Sequence, residues 1–270
     1  MSGGLLNSSR KISALLLDIT GVLYNSGEGG GHVIPGSPQA VARLKEAGYK
    51  LKFCTNETQI TRRALVEKLT RHGFTLTEEE VYSPAPACVQ YLLENNLRPF
   101  LLIHPDARQD YVTVDTTNPN AVVLGDAAHE FTYDNMNIAF KILISQGSPG
   151  HLISLGRGRY YREGSELTLD VGPFTKALEF ASGTEATVIG KPAPSFFKSA
   201  LSDLRVPPEE AVMIGDDVLN DVGGAQGCGM AGVLVKTGKY RPEDERHPTV
   251  KPDRVVDNLA HAVDLLLNVS

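Results

Sequence analysis

The sequence predicts an α/β protein: a parallel-sheet core built from two separated segments, with a second α/β module inserted between them. Three observations carry this. Short apolar runs alternate with stretches of helical periodicity, the pattern of βαβ units. Several apolar runs end in a small polar cluster, at Asp18, at Thr55-Asn56 and at Gly215-Asp216-Asp217. Prolines at 84 and 86, and Gly190-Lys191-Pro192 further on, bracket the middle of the chain. The expected boundaries are 1–83 for the first core segment, 84–187 for the inserted module and 188–270 for the second core segment.

In order, Ser13–Leu17 reads as a buried strand ending at Asp18. Tyr24–Gly36 is glycine-rich, without apolar periodicity, and reads as a loop. Ser37-Pro38 opens a helix that Gly48 closes. Lys50–Cys54 is a second strand, and Thr61–Arg71 a second helix. Thr77 and Glu80 have the spacing of a capping box. Ser83–Pro86 reads as a hinge. Beyond it come strands at Pro99–Ile103, Ala121–Leu124 and His151–Ser154, and helices at Val89–Asn95 and Tyr133–Ile144. A helix at Phe174–Ala181 and a strand at Ala186–Ile189 lead back to the core. Strands at Ala211–Ile214 and Ala231–Val235 and a helix at Leu259–Leu267 complete it.

Composition narrows the function. Of 270 residues, 41% are hydrophobic and 21% charged, enough for a substantial core. A net charge of −6 argues against a nucleic-acid or anionic-membrane surface. No apolar run approaches the roughly 20 residues that span a bilayer. Residues 1–10 are small and polar, unlike a secretory signal. The three scattered cysteines, Cys54, Cys88 and Cys228, form neither a disulfide framework nor a zinc pattern. The expected setting is therefore reducing and cytoplasmic.

Four pieces carry candidate chemistry: Asp18-Ile19-Thr20-Gly21, Thr55-Asn56, Lys191, and Gly215-Asp216-Asp217 with Asp221. Any one of them alone fits an ordinary turn or a solvated loop. Together, with three of them at strand ends, they would open on one edge of a parallel sheet. Two carboxylates, a hydroxyl, an amide and an ammonium suit phosphoryl transfer to a carboxylate. A hard cation such as Mg²⁺ binds through one or two carboxylates and phosphate oxygens. Gly27-Glu28-Gly29-Gly30-Gly31 does not lead straight into a helix, so a dinucleotide fingerprint is not supported.

This set resembles the haloacid dehalogenase superfamily of phosphohydrolases, over nearly the whole chain. The resemblance implies a Rossmann-like core with an inserted type-2 α/β cap domain. It implies Asp18 as nucleophile and metal ligand, the Thr20 carbonyl and Asp216 as further ligands of Mg²⁺, and Lys191 as the residue that orients Asp18. Thr55, Asn56, Glu57 and Lys191 would hold the phosphoryl group or order the site. Asp217 and Asp221 would support from nearby. The segments Asp18–Tyr24, Phe53–Glu57, Gly156–Tyr161, Leu169–Pro173 and Val212–Asp217 resemble members that cleave P–N bonds and inorganic pyrophosphate. That implies phospholysine, phosphohistidine, as small molecules or in proteins, and imidodiphosphate as substrates, with a homodimer in the cytoplasm and the nucleus as a further location.

The sequence departs from most phosphomonoesterases of the superfamily at Thr20, where they carry a second Asp as general acid. A threonine cannot donate a proton as a carboxylic acid does, so substrates needing little acid assistance are favoured. The alternatives are a sugar or nucleotide monophosphatase of the same fold and a non-catalytic phosphate-binding module. Gly156–Tyr161 and Asp170 are candidates to face substrate, although Tyr160 and Tyr161 are expected to pack inside the cap.

Overall fold

The structure is a computed structural model that describes residues 6, 11–27, 30–145, 150–163 and 166–268. Most of the polar N-terminal stretch 1–10 and part of the glycine run 27–31 lie outside the described residues.

The first segment holds β1 (Ala14–Asp18), a small hairpin of β2 (Tyr24–Asn25) and β3 (His32–Val33), α1 (Ser37–Glu46), β4 (Lys50–Cys54), α2 (Arg62–Arg71) and β5 (Val81–Tyr82). Next come α3 (Pro84–Glu94), β6 (Pro99–Leu102), β7 (Ala121–Leu124), α4 (Tyr133–Ser145), β8 (His151–Ser154), β9 (Tyr160–Glu163), β10 (Glu166–Leu169), α5 (Val171–Ser182) and β11 (Thr187–Val188). The chain then forms α6 (Pro194–Leu204), β12 (Ala211–Gly215), α7 (Gly224–Gln226), β13 (Ala231–Val235), β14 (Arg254–Val256) and α8 (Leu259–Leu266).

Six strands form one sheet in the order β14-β13-β12-β1-β4-β5, and every pairing in it is parallel. β1 is buried on both faces, which explains its unbroken apolar run. Leu15 and Leu17 pack with Val41 and Leu44 of α1, Leu65 and Leu69 of α2, and Val263 of α8. Ala14 and Leu16 face the other way, into Phe196, Phe197 and Leu201 of α6. A second parallel sheet, β11-β8-β7-β6, lies in the middle of the chain. Its strands pack against Cys88 and Leu92 of α3 on one face, and against α4 and α5 on the other. An antiparallel ribbon of β9 and β10 completes this module. No described helix is long and apolar enough to cross a membrane.

Several sequence expectations need correction. The hinge read at Ser83–Pro86 is the first turn of α3: prolines fit there because a first-turn N–H has no intrahelical partner. The loop read at Tyr24–Gly36 contains the β2–β3 hairpin. The helix read from Phe174 starts at Val171, with the Asp170 carboxylate accepting from the Val171 N–H at 2.6 Å.

Candidate active site

The parallel sheet decides where the site falls. Asp18 is the last residue of β1, Thr55 follows β4, Asp216 follows β12, and Thr237–Lys239 follow β13. The chain leaves β1 for β4 on one side and reaches β12 on the other, so the topological switch lies beside Asp18. Open α/β sheets hold ligands at that crevice.

Lys191 is brought over this edge from the end of the second sheet. Asn56 fixes its backbone from both sides: Asn56 Oδ1 accepts from Lys191 N, and Asn56 Nδ2 donates to Lys191 O, each at 2.8 Å. The ammonium then donates to Asp18 Oδ1 at 2.6 Å and to the Cys54 carbonyl at 3.1 Å. Asp221 Oδ1 is 2.7 Å from Nζ, an ion pair outside hydrogen-bond geometry. Burial lowers the Lys191 pKa, but Asp18 and Asp221 outweigh it and raise it, so the ammonium stays charged.

Asp216 is 2% exposed. Its Oδ2 accepts from Lys239 N at 2.8 Å, while Oδ1 has no hydrogen-bond partner. Gly21 and Gly238, at φ 94° and 61°, crowd this carboxylate so closely that a Cβ on either would overlap Oδ2. Both glycines are therefore required by conformation and by space. Asp217 is engaged otherwise: it accepts from Leu219 N and Asn220 N at 2.9 Å each and lies 3.1 Å from Lys239 Nζ. Burial pushes it up, but Lys239 and the Asn220 donors prevail and hold it at about 2.

Carboxylate oxygens of Asp18, Asp216 and Asp221 lie within 4.8 Å of one another, all buried. A bare, buried carboxylate oxygen in such a group calls for a proton or a cation. An all-oxygen donor set fits a hard divalent cation. Burial, then the neighbouring carboxylates, raise Asp216 well above the usual carboxylate range; burial and Asp18 raise Asp221 to about 7. Without metal, the folded cluster holds protons that the unfolded chain, with carboxylates near 4, has already released. Stability should therefore fall as pH rises from about 4 through about 7. Thermal denaturation in chelator across that range checks this, with Mg²⁺ expected to raise Tm more at pH 8 than at pH 5.5. A metal-free Tm that climbs with pH would contradict it.

The phosphoryl-binding side is built on the loop after β4. Thr55 Oγ1 accepts from Glu57 N at 2.9 Å, which leaves its O–H to donate to a ligand. Glu57 Oε1 accepts from Gln59 N at 2.7 Å, and burial raises its pKa. The second module closes over this loop. Thr58 Oγ1 accepts from Asp126 N at 2.8 Å, and Gln59 Nε2 donates to Asp126 Oδ2 at 2.7 Å and reaches Tyr161 OH at 3.4 Å. A cavity of about 250 Å³ lies between the two modules.

Asp18, Thr20, Thr55, Asn56, Glu57, Lys191 and Asp216, all expected from sequence, line this one cavity. Asn56 orders the site through its amide, which positions Lys191. Asp221 joins the carboxylate cluster directly. Tyr161, expected inside the cap, reaches the cavity with Asp170. Lys68, Lys239 and Asp126 also line it and were not anticipated. Lys239 had a usable signal, since Thr237-Gly238 is one more polar strand end. Asp126 had the same signal, since Gly125-Asp126 follows the apolar run Ala121–Leu124, whereas Lys68 sits mid-helix, where nothing distinguishes it.

Comparison with known proteins agrees with this geometry. The haloacid dehalogenase-like hydrolase family matches residues 15–117, and the HAD-hydrolase-like family matches residues 188–262. The chain is 58% identical to human phospholysine phosphohistidine inorganic pyrophosphate phosphatase, covering 95% of this chain and 94% of that protein. It is 41% identical to haloacid dehalogenase-like hydrolase domain-containing protein 2 of Pongo abelii, over 96% and 97%. The solved structure of a 4-nitrophenylphosphatase from Thermotoga maritima superposes with a TM-score of 0.84 at 26% identity, covering 94% of this chain and 97% of that one. With at least 41% identity to the human and Pongo abelii proteins over nearly its whole length, and Asp18, Lys191 and the acidic cluster gathered at one sheet edge, the chain belongs to the haloacid dehalogenase-like hydrolases.

Proposed function

We propose that this protein is a Mg²⁺-dependent phosphohydrolase that cleaves P–N bonds and inorganic pyrophosphate through a phosphoryl-Asp18 intermediate. The observation that carries this reading is a buried Asp18, aligned by Lys191, with the unpartnered Asp216 Oδ1 in the same acidic cluster. The name of the human relative points to the same substrates.

An Asp18 carboxylate oxygen attacks phosphorus, and the bond from phosphorus to the leaving nitrogen or oxygen breaks. Thr55 O–H donates to the phosphoryl oxygens, and Lys191 holds Asp18 in line while offsetting its charge. Water then attacks the acyl phosphate, releasing inorganic phosphate and freeing Asp18. Mg²⁺ bound by Asp18 and Asp216, with the Thr20 carbonyl as the expected third ligand, would neutralise charge on the phosphoryl oxygens.

Leaving-group chemistry separates this reading from a sugar phosphatase. Thr20 lines the cavity and supplies no carboxylic acid there. An alkoxide leaves poorly without such an acid. A protonated P–N nitrogen leaves as a neutral amine, and pyrophosphate loses a stable phosphate anion. The cap side of the cavity adds the Asp126 and Asp170 carboxylates and Tyr161, acceptors suited to an N–H-bearing leaving group.

The test is phosphate release with Mg²⁺ from phospholysine, imidodiphosphate, pyrophosphate and a sugar phosphate. Turnover of the first three, with the sugar phosphate at least about tenfold slower in kcat/KM, is the expected result. A sugar phosphate that ranks first would overturn the leaving-group reading. Chelator should abolish all turnover.

A further inference from the structure

Among the described residues lining the cavity are seven carboxylates but only three cations, Lys68, Lys191 and Lys239, and no arginine. Two of the three are occupied. Lys191 is paired with Asp18 and Asp221, and Lys239 with Asp217. Lys68 has no carboxylate within ion-pair distance among the described residues.

Lys68 is nevertheless held in place. It projects from α2, and its Nζ donates to Tyr24 OH at 3.1 Å while lying 4.4 Å from the centre of the Tyr24 ring. Tyr24 is fully buried and stacked on His72. Thr20 Oγ1 also reaches Tyr24 OH, at 3.4 Å. The ammonium is thus anchored two contacts from Thr20, the residue two positions beyond the nucleophile. A π face and a phenol oxygen orient a cation without neutralising it. The result is a half-buried ammonium on the cavity wall, held by Tyr24, with its nearest electrostatic partner, the Glu57 carboxylate, beyond ion-pair distance.

We infer that Lys68 binds the outer, leaving phosphate of pyrophosphate and so sets the preference between pyrophosphate and the P–N substrates whose leaving group is an amine or imidazole. The inference rests on the phosphohydrolase reading above. Pyrophosphate enters a predominantly acidic cavity with charge on both phosphates. Asp18 attacks the inner phosphorus, the bridging P–O bond breaks, and the bonding pair goes to the outer phosphate, which leaves as the anion. Lys68 stabilises that anion with a charge-assisted hydrogen bond. An amine or imidazole leaving group carries no such negative charge and gains nothing from this ammonium.

The experiment compares Lys68→Met and Lys68→Arg with the wild-type, Mg²⁺-loaded enzyme. It measures kcat/KM for pyrophosphate and for phospholysine, and the Kd of methylenediphosphonate by calorimetry. In Lys68→Met the pyrophosphate-to-phospholysine ratio should fall about 10- to 100-fold, with the diphosphonate weakened by a similar factor. Lys68→Arg should restore much of both. An unchanged ratio, or a parallel loss of both activities, would overturn the inference, because a packing role would not discriminate between the substrates. If the wild-type enzyme hydrolyses neither substrate, the phosphohydrolase reading itself fails. If it hydrolyses both and the ratio does not move, only the role of Lys68 fails.

Discussion

Lys191→Met is expected to destabilise the protein by about 3–5 kcal/mol and to abolish measurable turnover. Methionine fills the space of the lysine stem but leaves Asp18 and Asp221 without their cation. The side chains of these acids are 8% and 1% exposed, so water cannot take its place. The Cys54 carbonyl loses its donor as well. In a chain of this size the deficit corresponds to a fall in Tm on the order of 10 °C. A divalent cation held by this carboxylate cluster would replace part of the missing positive charge, so Mg²⁺ should recover more Tm in the variant than in the wild type. Thermal denaturation with and without Mg²⁺ makes the measurement. A variant as stable as wild type in chelator would show that the cluster does not depend on this ion pair.

Asp18→Asn is expected to lower kcat by roughly 10⁴-fold or more, because an amide does not form the acyl phosphate. The fold should survive. Asp18 is one of the charges that raise Asp216 and Asp221, so its removal relieves repulsion within the metal-free cluster. The Tm in chelator should hold or rise while activity disappears. A fall in Tm paralleling the loss of activity would make Asp18 a structural residue instead of the nucleophile.

The sequence made the core and most of the site legible for one physical reason. Parallel strands buried on both faces read as apolar runs, and their ends carry the chemistry. Asp18, Thr55 and Asp216 are found in this way, and the same rule places them on one edge. Elements without such a run were invisible. β5 and β14 are two and three residues long, and the β9–β10 ribbon has its partners only in the folded cap. α6 went unread because Pro192 precedes it and Pro194 is its first residue, and prolines punctuate a chain as readily as they open a helix. Side-chain roles depended on long-range geometry. Because it follows Thr55, Asn56 reads as a residue that holds the phosphoryl group or orders the site. Its use as a strut for Lys191 joins positions 135 residues apart in the chain. Tyr161 looked like a core residue because tyrosines usually are, yet it meets Gln59 across the two modules. Lys68 gave no signal, since one lysine on an amphipathic helix looks like any other.

The most direct measurement is to acid-quench the Mg²⁺-loaded enzyme during turnover of phospholysine and of pyrophosphate, and to locate any protein-bound phosphate by tandem mass spectrometry. A phosphate on Asp18 with both substrates, absent from Asp18→Asn, is the predicted result. Turnover with no phosphate on Asp18, or with the phosphate on another residue, would contradict attack by this carboxylate.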